Sequence, residues 1–140
     1  MLIKLWFCEV RFLRDILFRG KRIDNGEWIE GVAFPDEDWS ITIWKQNHID
    51  GSLDGYEVDP ASVGQYTGLT DKNGTRIFEG DICWFYGGDY YSGLWEQNAI
   101  VAITDMTDDE QIHYLNNAEY CEVIGNIYDN PELMRGAENE

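Results

Sequence analysis

The sequence predicts a mainly β protein, a small barrel or sandwich of short strands with one short helix near the C-terminus. Aromatic residues make up 14% of the 140 residues, and the chain holds 14 Gly but only 3 Pro. That composition is typical of short strands and tight turns. Two Asn-Gly pairs mark turns between strand-like runs, and regular turn signals of this kind favour a barrel or sandwich over a helical fold.

The first part of the chain predicts a hairpin followed by two further strands. Asn25-Gly26 lies between two apolar runs and is a strong signal for a type I′ turn. Residues 39–44 alternate apolar and small polar side chains, which is the period of a half-buried strand. Residues 46–55 are polar and Gly-rich and predict a loop. The strand-like runs are residues 16–23, 28–34, 39–44 and 56–58.

The second part predicts further strands between two capped helical segments. Asp59-Pro60 fits a helical turn, with Asp as the N-cap and Pro at the first helical position. Asn130-Pro131 repeats this pattern and predicts a short terminal helix through Arg135. Residues 111–121 fit either a strand or a helix. The strand-like runs are residues 63–69, 75–78, 82–86, 94–104 and 122–128.

The charge balance is strongly acidic, with 27 acidic and 10 basic residues and a net charge of −17. Residues 1–22 carry six basic and two acidic side chains, a local +4, so the remainder carries −21. An acidic surface repels phosphate backbones, so direct nucleic-acid binding is not expected. The charge indicates a surface suited to solubility, and the alternative is a basic protein as macromolecular partner.

The cysteines and the hydropathy indicate a cytoplasmic protein. Cys8, Cys83 and Cys121 are widely spaced and form no C-x-x-C motif, which fits a reduced compartment with buried thiols. The apolar start of the chain is interrupted by Glu9 and Arg11, so a signal peptide is not expected. No stretch approaches the roughly 20 apolar residues that a membrane span requires, so no membrane partner is expected.

Several motifs, in order along the chain, resemble the YopX family. They are Phe18-Arg-Gly-Lys-Arg22, Gly26-Glu-Trp28, Val63-Gly-Gln-Tyr-Thr-Gly-Leu69, Asp71-Lys-Asn-Gly74, Ile77-Phe-Glu-Gly-Asp-Ile82 and Val123-Ile-Gly-Asn-Ile-Tyr-Asp-Asn-Pro-Glu-Leu133. The resemblance implies a small protein of bacteriophages and prophages, in the cytoplasm of a bacterial host, so a basic partner would be a host or phage protein. It also implies an SH3-like β-barrel in the C-terminal half, assembly into homo-oligomers, and no established enzymatic activity from which catalytic residues could be transferred.

The resemblance also gives a domain layout. Residues 1–12 are expected to be an N-terminal extension, since the family pattern begins near Leu13. Residues 13–58 form an N-terminal hairpin and strand region. Residues 59–140 form the SH3-like barrel region, and the two regions together make one compact unit.

No metal, cofactor or catalytic site is predicted. Residues 50–55 place oxygen-bearing side chains at positions 1, 3 and 5 and Gly at position 6, as in an EF-hand loop, but position 12 is Ala61 instead of Glu. His48 and His113 have no ligand spacing with each other or with a cysteine pair. A catalytic pair of His113 with Cys83 or Cys121 has no support from spacing.

The best candidate for binding is the segment from Tyr86 to Trp95, which combines aromatic residues with Gly and Ser. Such a composition suits protein contact because Tyr and Trp give a large contact area at low entropic cost. The predicted contact residues are Tyr86, Tyr90, Tyr91 and Trp95. The alternative is a long hairpin tip whose aromatic rings fold back on the barrel.

The sequence therefore favours a non-enzymatic phage or prophage accessory protein that acts through protein contacts as a homo-oligomer. One alternative is an acidic protein that mimics DNA and inhibits a basic DNA-binding protein. It requires carboxylates spaced like phosphates along one face. A second alternative is a small metal-dependent hydrolase or nuclease, which requires a cleft that gathers several carboxylates around a metal.

Overall fold

The computed structural model describes residues 16–86 and 99–138, with side chains described as far as Arg135. The chain divides into two compact units, Met1–Gly68 and Leu69–Glu140. The described residues form two antiparallel sheets with few helical segments. The predicted mainly β class is therefore confirmed. Within these ranges the sheets are not one closed barrel. The predicted extension, residues 1–12, lies outside the described residues.

The described residues form nine short strands and two helices. The strands are β1 (Phe18–Lys21), β2 (Trp28–Pro35), β3 (Ile41–Gln46), β4 (Leu53–Val58), β5 (Gly64–Thr70), β6 (Arg76–Phe78), β7 (Asp81–Phe85), β8 (Ala99–Ala102) and β9 (Cys121–Asn126). The helices are α1 (Asp109–Leu115) and α2 (Glu132–Glu138), and 3₁₀ turns lie at Pro60–Ser62 and Ala118–Tyr120.

The first sheet has six strands in the order β4-β3-β2-β1-β5-β6, and the first unit holds β1 to β4 and β5 as far as Gly68. The turn between β1 and β2 contains Asn25 and Gly26, but Gly26 alone of the two has a positive φ, 74°. The predicted type I′ turn is wrong, because that turn needs positive φ at both central residues. The connection is instead a longer loop, closed by hydrogen bonds from Arg22 N to Glu27 O and from Gly26 N to Arg22 O.

The predicted loop at residues 46–55 is also wrong in its extent. β3 continues to Gln46 and β4 begins at Leu53, with continuous pairing from Ile41 opposite Val58 to Gln46 opposite Leu53. Short-range hydrogen bonds make the intervening turn compact. The Asn47 side chain accepts from Ile49 N at 2.8 Å, and the Asp50 side chain accepts from Ser52 N at 2.9 Å. The loop between β3 and β4 is therefore limited to residues 47–52.

The inner face of the first sheet is packed closely enough to require glycine. Ile43 and Val58 are fully buried there. A Cβ at Gly31 would lie 2.2 Å from the Trp44 carbonyl oxygen and 3.0 Å from the Ile43 side chain. The backbones of β2 and β3 would have to separate to make room for it.

We expect Gly31→Ala to lower the free energy of unfolding by about 2–3 kcal/mol, because overpacking against a backbone atom is not relieved by a rotamer change. Gly55→Ala is the matched control. A Cβ at Gly55 would lie 2.8–3.0 Å from ring atoms of Trp44, and that partly exposed ring has room to swing. Gly55→Ala should therefore lower the free energy of unfolding by less than about 1 kcal/mol. Denaturant unfolding of the two variants checks this, and equal losses would contradict it.

The second unit contains the three-stranded antiparallel sheet β8-β7-β9. Its core brings side chains from strands, the α1 helix and the following 3₁₀ turn into one cluster. The buried members are Ile77, Cys83, Phe85, Ile103, Leu115, Ala118 and Cys121. The ambiguous residues 111–121 are therefore helical as far as Leu115. Asp108 caps α1 by accepting from Glu110 N and Gln111 N, and Asp109 and Glu110 favour the positive end of the helix.

Two buried carboxylates hold the turns of the second unit. Asp71 Oδ1 accepts from Asn73 N at 2.8 Å and from Thr75 N at 2.9 Å. Its Oδ2 accepts from Val123 N in β9 at 2.9 Å. Asp81 Oδ2 accepts from Phe78 N at 2.8 Å. These two Asp residues belong to the motifs Asp71–Gly74 and Ile77–Ile82, so the motifs carry structural hydrogen bonds.

Two of the three cysteines are core residues, as expected. Cys83 and Cys121 are fully buried and not disulfide-bonded. A hydrogen bond with Cys121 and burial both raise the pKa of the Cys83 thiol well above its usual range. A protonated, buried thiol is a poor nucleophile, so Cys83 is a packing residue, while the hydrogen bond with Cys83 lowers the pKa of Cys121. Cys8 lies outside the described residues.

Candidate functional site

Tyr86 is the one predicted contact residue that the structure describes, because Tyr90, Tyr91 and Trp95 lie outside the described residues. Tyr86 follows β7 directly and is half-buried. Its hydroxyl donates to Glu122 Oε2 at 2.5 Å, and its ring centroid lies 4.5 Å from that of Trp84. Tyr86 therefore folds back against the sheet, as the alternative interpretation of this segment requires.

Lys72 completes the cluster around Tyr86. Its Nζ lies 4.0 Å from the centroid of the Tyr86 ring, a cation–π distance. A hydrogen bond with Tyr86 raises the pKa of Lys72, and the charges of Glu122 and Asp71 act in the same direction. Each polar group of this cluster interacts with another member. The Lys72–Tyr86–Glu122 cluster is therefore best explained as a structural link between the Asp71–Gly74 turn and β9.

The residues considered for metal binding or catalysis make local contacts within the chain. Asp50 is engaged by Ser52, whose hydroxyl donates to Oδ1 at 2.7 Å and lowers the pKa of the Asp50 carboxyl. Across residues 16–86 and 99–135, no group of three or more His, Cys, Asp or Glu side chains is arranged to hold a metal ion. His113 lies in the last turn of α1, where its carbonyl accepts from Asn117 Nδ2.

The basic residues of β1 and its turn make local contacts with aromatic rings. The Arg19 guanidinium lies 4.8 Å from the Trp28 ring centroid, and Lys21 Nζ lies 5.9 Å from the same ring. The Arg22 guanidinium lies 4.3 Å from the Tyr56 ring and pairs with Asp24 at 2.6 Å. These cations therefore make contacts within the first unit.

An apolar groove on the first unit is the surface that sequence reasoning missed. It is lined by Val32 and Phe34 of β2, Trp44 of β3 and Leu53 of β4, and it encloses about 410 Å³. The register places Val32 opposite Trp44 and Trp44 opposite Gly55. Because side chains alternate along a strand, these residues share the face of the sheet that lies opposite the buried Ile43. We call this surface the outer face.

The outer face is unusually exposed for so apolar a surface. The exposed fractions are 43% for Val32, 54% for Phe34, 39% for Trp44 and 63% for Leu53. Single exposed apolar residues are common, but four that line one groove mark an interaction site more often than chance placement. Val32 and Phe34 alternate along β2, as residues on one face of a strand do. The apolar residues Ile29 and Ala33 on the inward face obscure this alternation in the sequence.

The fold and the groove define a mainly β protein of two antiparallel sheets with an exposed apolar groove on its first unit. The YopX protein family matches residues 17–135, which is most of the chain. The chain therefore belongs to the YopX family, as its motifs indicated.

Comparison with solved structures and curated proteins adds little to this assignment. The crystal structure of protein EF1440 from Enterococcus faecalis is similar over 86% of this chain and 99% of that chain, with 24% sequence identity and a TM-score of 0.44. Among curated proteins no sequence matches significantly. Neither helix in the described part of the chain has the length and apolar character needed to cross a membrane.

Proposed function

We propose that this protein is a non-enzymatic accessory protein of bacteriophages and prophages that acts through protein contacts, and that the outer face of the first unit makes them. The observation that carries the proposal is the exposed apolar groove of Val32, Phe34, Trp44 and Leu53. Water-exposed apolar area has a free-energy cost that a protein partner removes by covering it. Phe and Trp are also enriched in protein interfaces.

The groove supports protein contact better than it supports a small-molecule site. Pockets for small molecules combine apolar walls with a few polar groups that fix the orientation of the ligand. The four side chains that line this groove are all apolar except for the indole N–H of Trp44. A surface of this kind holds apolar side chains whose position is set by the rest of a larger partner.

The proposal includes the family-based expectations. The C-terminal unit has an SH3-like architecture, the protein acts in the bacterial cytoplasm, and copies associate into a homo-oligomer. Light scattering at tens of micromolar tests the association. A mass of two or more chains is expected, and a monomer mass would remove the oligomer from the proposal.

A paired pull-down tests the contact surface itself. Wild-type protein and the variant Phe34→Ser/Leu53→Ser serve as baits in prophage-induced cells, with Ile49→Ser as the control. Ile49 is 96% exposed in the turn between β3 and β4 and does not line the groove. At least one protein should be recovered by wild type and by the control, and lost from the groove variant. Identical recovery by all three baits would contradict the proposed contact surface.

A further inference from the structure

The shape of the groove depends on the absence of a side chain at Gly55. The Trp44 ring lies across Gly55, and a Cβ at that position would come within 2.8 Å of the ring. Gly55 thus lets the indole lie over β4. Val32 of β2 lies directly opposite Trp44 on one side, and Leu53 of β4 lies two residues before Gly55 on the other side. Any larger residue at position 55 would lift the ring and change the shape of the groove.

Carboxylates lie at one end of this apolar floor. Thr42 lies opposite both Phe34 and Glu57, so Glu57 is on the same face as the groove, and its side chain is exposed. The Asp36 Oδ2 accepts from Thr42 Oγ1 at 3.0 Å, which holds a second carboxylate at this end. Glu37 and Asp38 follow in the same exposed loop. At the other end Glu30 lies on the same face, two residues before Val32, but the basic Arg19 lies directly opposite it in β1, so this end carries both signs of charge.

From this juxtaposition we infer that the groove binds a segment of a partner protein in which apolar residues alternate with Lys or Arg. The inference rests on the proposed function and names the chemistry of its partner. The apolar side chains enter the groove, and the basic side chains meet Glu57, Asp36 and their neighbours. Complementary charge at the rim selects the partner and speeds its encounter, while the apolar floor supplies affinity.

A second copy of the chain fits this surface less well. Each copy carries a net charge of −17. In a two-fold contact centred on the groove, each copy presents the same patch, so the contact brings two sets of rim carboxylates into one interface. Like charges brought together across an interface oppose binding. The charge pattern therefore favours a basic partner.

Trp39 is a second exposed aromatic residue, in the loop that begins at Asp36. It is 85% exposed and has a φ of 70°, in the left-handed region. A bulky residue pays roughly 1 kcal/mol or more for that conformation. The loop nevertheless holds it, with Trp39 N donating to Asp36 O at 3.0 Å. An aromatic ring presented in this way adds contact area for a segment that leaves the groove toward the β2–β3 loop.

Three synthetic octapeptides test the inference by calorimetric titration of the full chain. The probe alternates Lys and Leu, one control alternates Glu and Leu, and the other alternates Lys and Ser. We expect the Lys-Leu peptide to bind at least about tenfold more tightly than either control at 150 mM salt, and to weaken as salt rises. Equal affinity for the Lys-Leu and Glu-Leu peptides, or for the Lys-Leu and Lys-Ser peptides, would overturn the inference.

Matched variants then locate the site of binding. Leu53→Ser is expected to weaken Lys-Leu binding about tenfold, and Glu57→Gln about threefold. Ile49→Ser and Glu119→Gln should leave the affinity unchanged. Glu119 is an exposed carboxylate of the second unit, so its removal changes the net charge by the same amount as Glu57→Gln. Equal effects of Glu57→Gln and Glu119→Gln would show a general charge effect and overturn the assigned rim.

Light scattering distinguishes this inference from the proposed function. If wild type is a dimer that Leu53→Ser converts to a monomer, a second copy covers the groove; the inference then fails while the proposed function stands. If the peptide binds at the groove but no cellular protein depends on Phe34 and Leu53, the proposed function fails while the chemistry of the groove stands.

Discussion

Replacing Phe85 by alanine is expected to lower the free energy of unfolding by about 3–5 kcal/mol. Phe85 is fully buried in the core of the second unit, and its ring centroid lies 5.0 Å from that of Tyr114 on α1. Truncation removes apolar contacts on several sides and leaves a cavity that the sheet and helix fill only in part. Denaturant unfolding, followed by tryptophan fluorescence, measures the loss.

Phe34→Ala is the matched control, because Phe34 is the same residue type but is 54% exposed in β2. Its loss should stay below about 1 kcal/mol, as is usual for surface positions. The comparison also tests the role of the groove. A large exposed ring that adds little stability is explained by a contact with a partner. A loss of 3 kcal/mol or more for Phe34→Ala would place Phe34 in a core instead.

Replacing Asp71 by alanine is expected to cost about 2–4 kcal/mol, because three backbone N–H groups lose a charged acceptor. The Asp71 side chain is 6% exposed and joins its own turn to Val123 in β9. Asp71→Asn should lose about half as much free energy of unfolding as Asp71→Ala, because the remaining side-chain carbonyl oxygen still accepts from Asn73 N and Thr75 N. Thermal and denaturant unfolding of both variants measure the order of these losses.

Asp50→Ala provides the control for the Asp71 variants. Asp50 also accepts two hydrogen bonds, from Ser52 N and Oγ, but it is exposed and its partners are two residues away. Water replaces such bonds readily, so the loss should be within about 1 kcal/mol. If Asp50→Ala and Asp71→Ala cost the same, the Asp71 link to β9 contributes nothing to stability.

Features set by neighbouring residues were predictable from the sequence. The aromatic and β-branched content predicted a mainly β chain because those residues suit a pleated, half-buried surface. Asp59 caps the 3₁₀ turn by accepting from Ala61 N at 3.0 Å, as the Asp-Pro pair indicated. Gly80, which lies directly before β7, has a φ of 96°, a conformation that glycine adopts readily. Each of these depends on a few adjacent residues.

Features set by distant residues were not predictable. The strand β4 contains Asp54 and Gly55, residue types that are depleted in strands. It forms because β3 pairs with it along its whole length and because Gly55 leaves room for the Trp44 ring. The Asn-Gly turn type was also missed, since the pairing of β1 and β2 sets the length of the loop.

The candidate site shows the same limit. The sequence pointed to Tyr86 through its aromatic neighbours, but Glu122, 36 residues away, holds its hydroxyl. In β2 the apolar residues Ile29, Val32, Ala33 and Phe34 occupy both faces, so alternation alone does not say which face is buried. The burial of Ile43 in β3 decides it, and thereby leaves Val32 and Phe34 on the outer face.

The most direct measurement of the central claim is a map of amide and side-chain NMR shifts during titration with the Lys-Leu peptide. Binding at the outer face predicts that the largest shifts occur at Val32, Phe34, Trp44 and Leu53, with Glu57 among the affected neighbours. The Tyr86 and Glu122 resonances should stay in place. Shifts centred on Tyr86 and Glu122, or spread evenly over the acidic residues of both units, would contradict the outer face as the protein-contact surface.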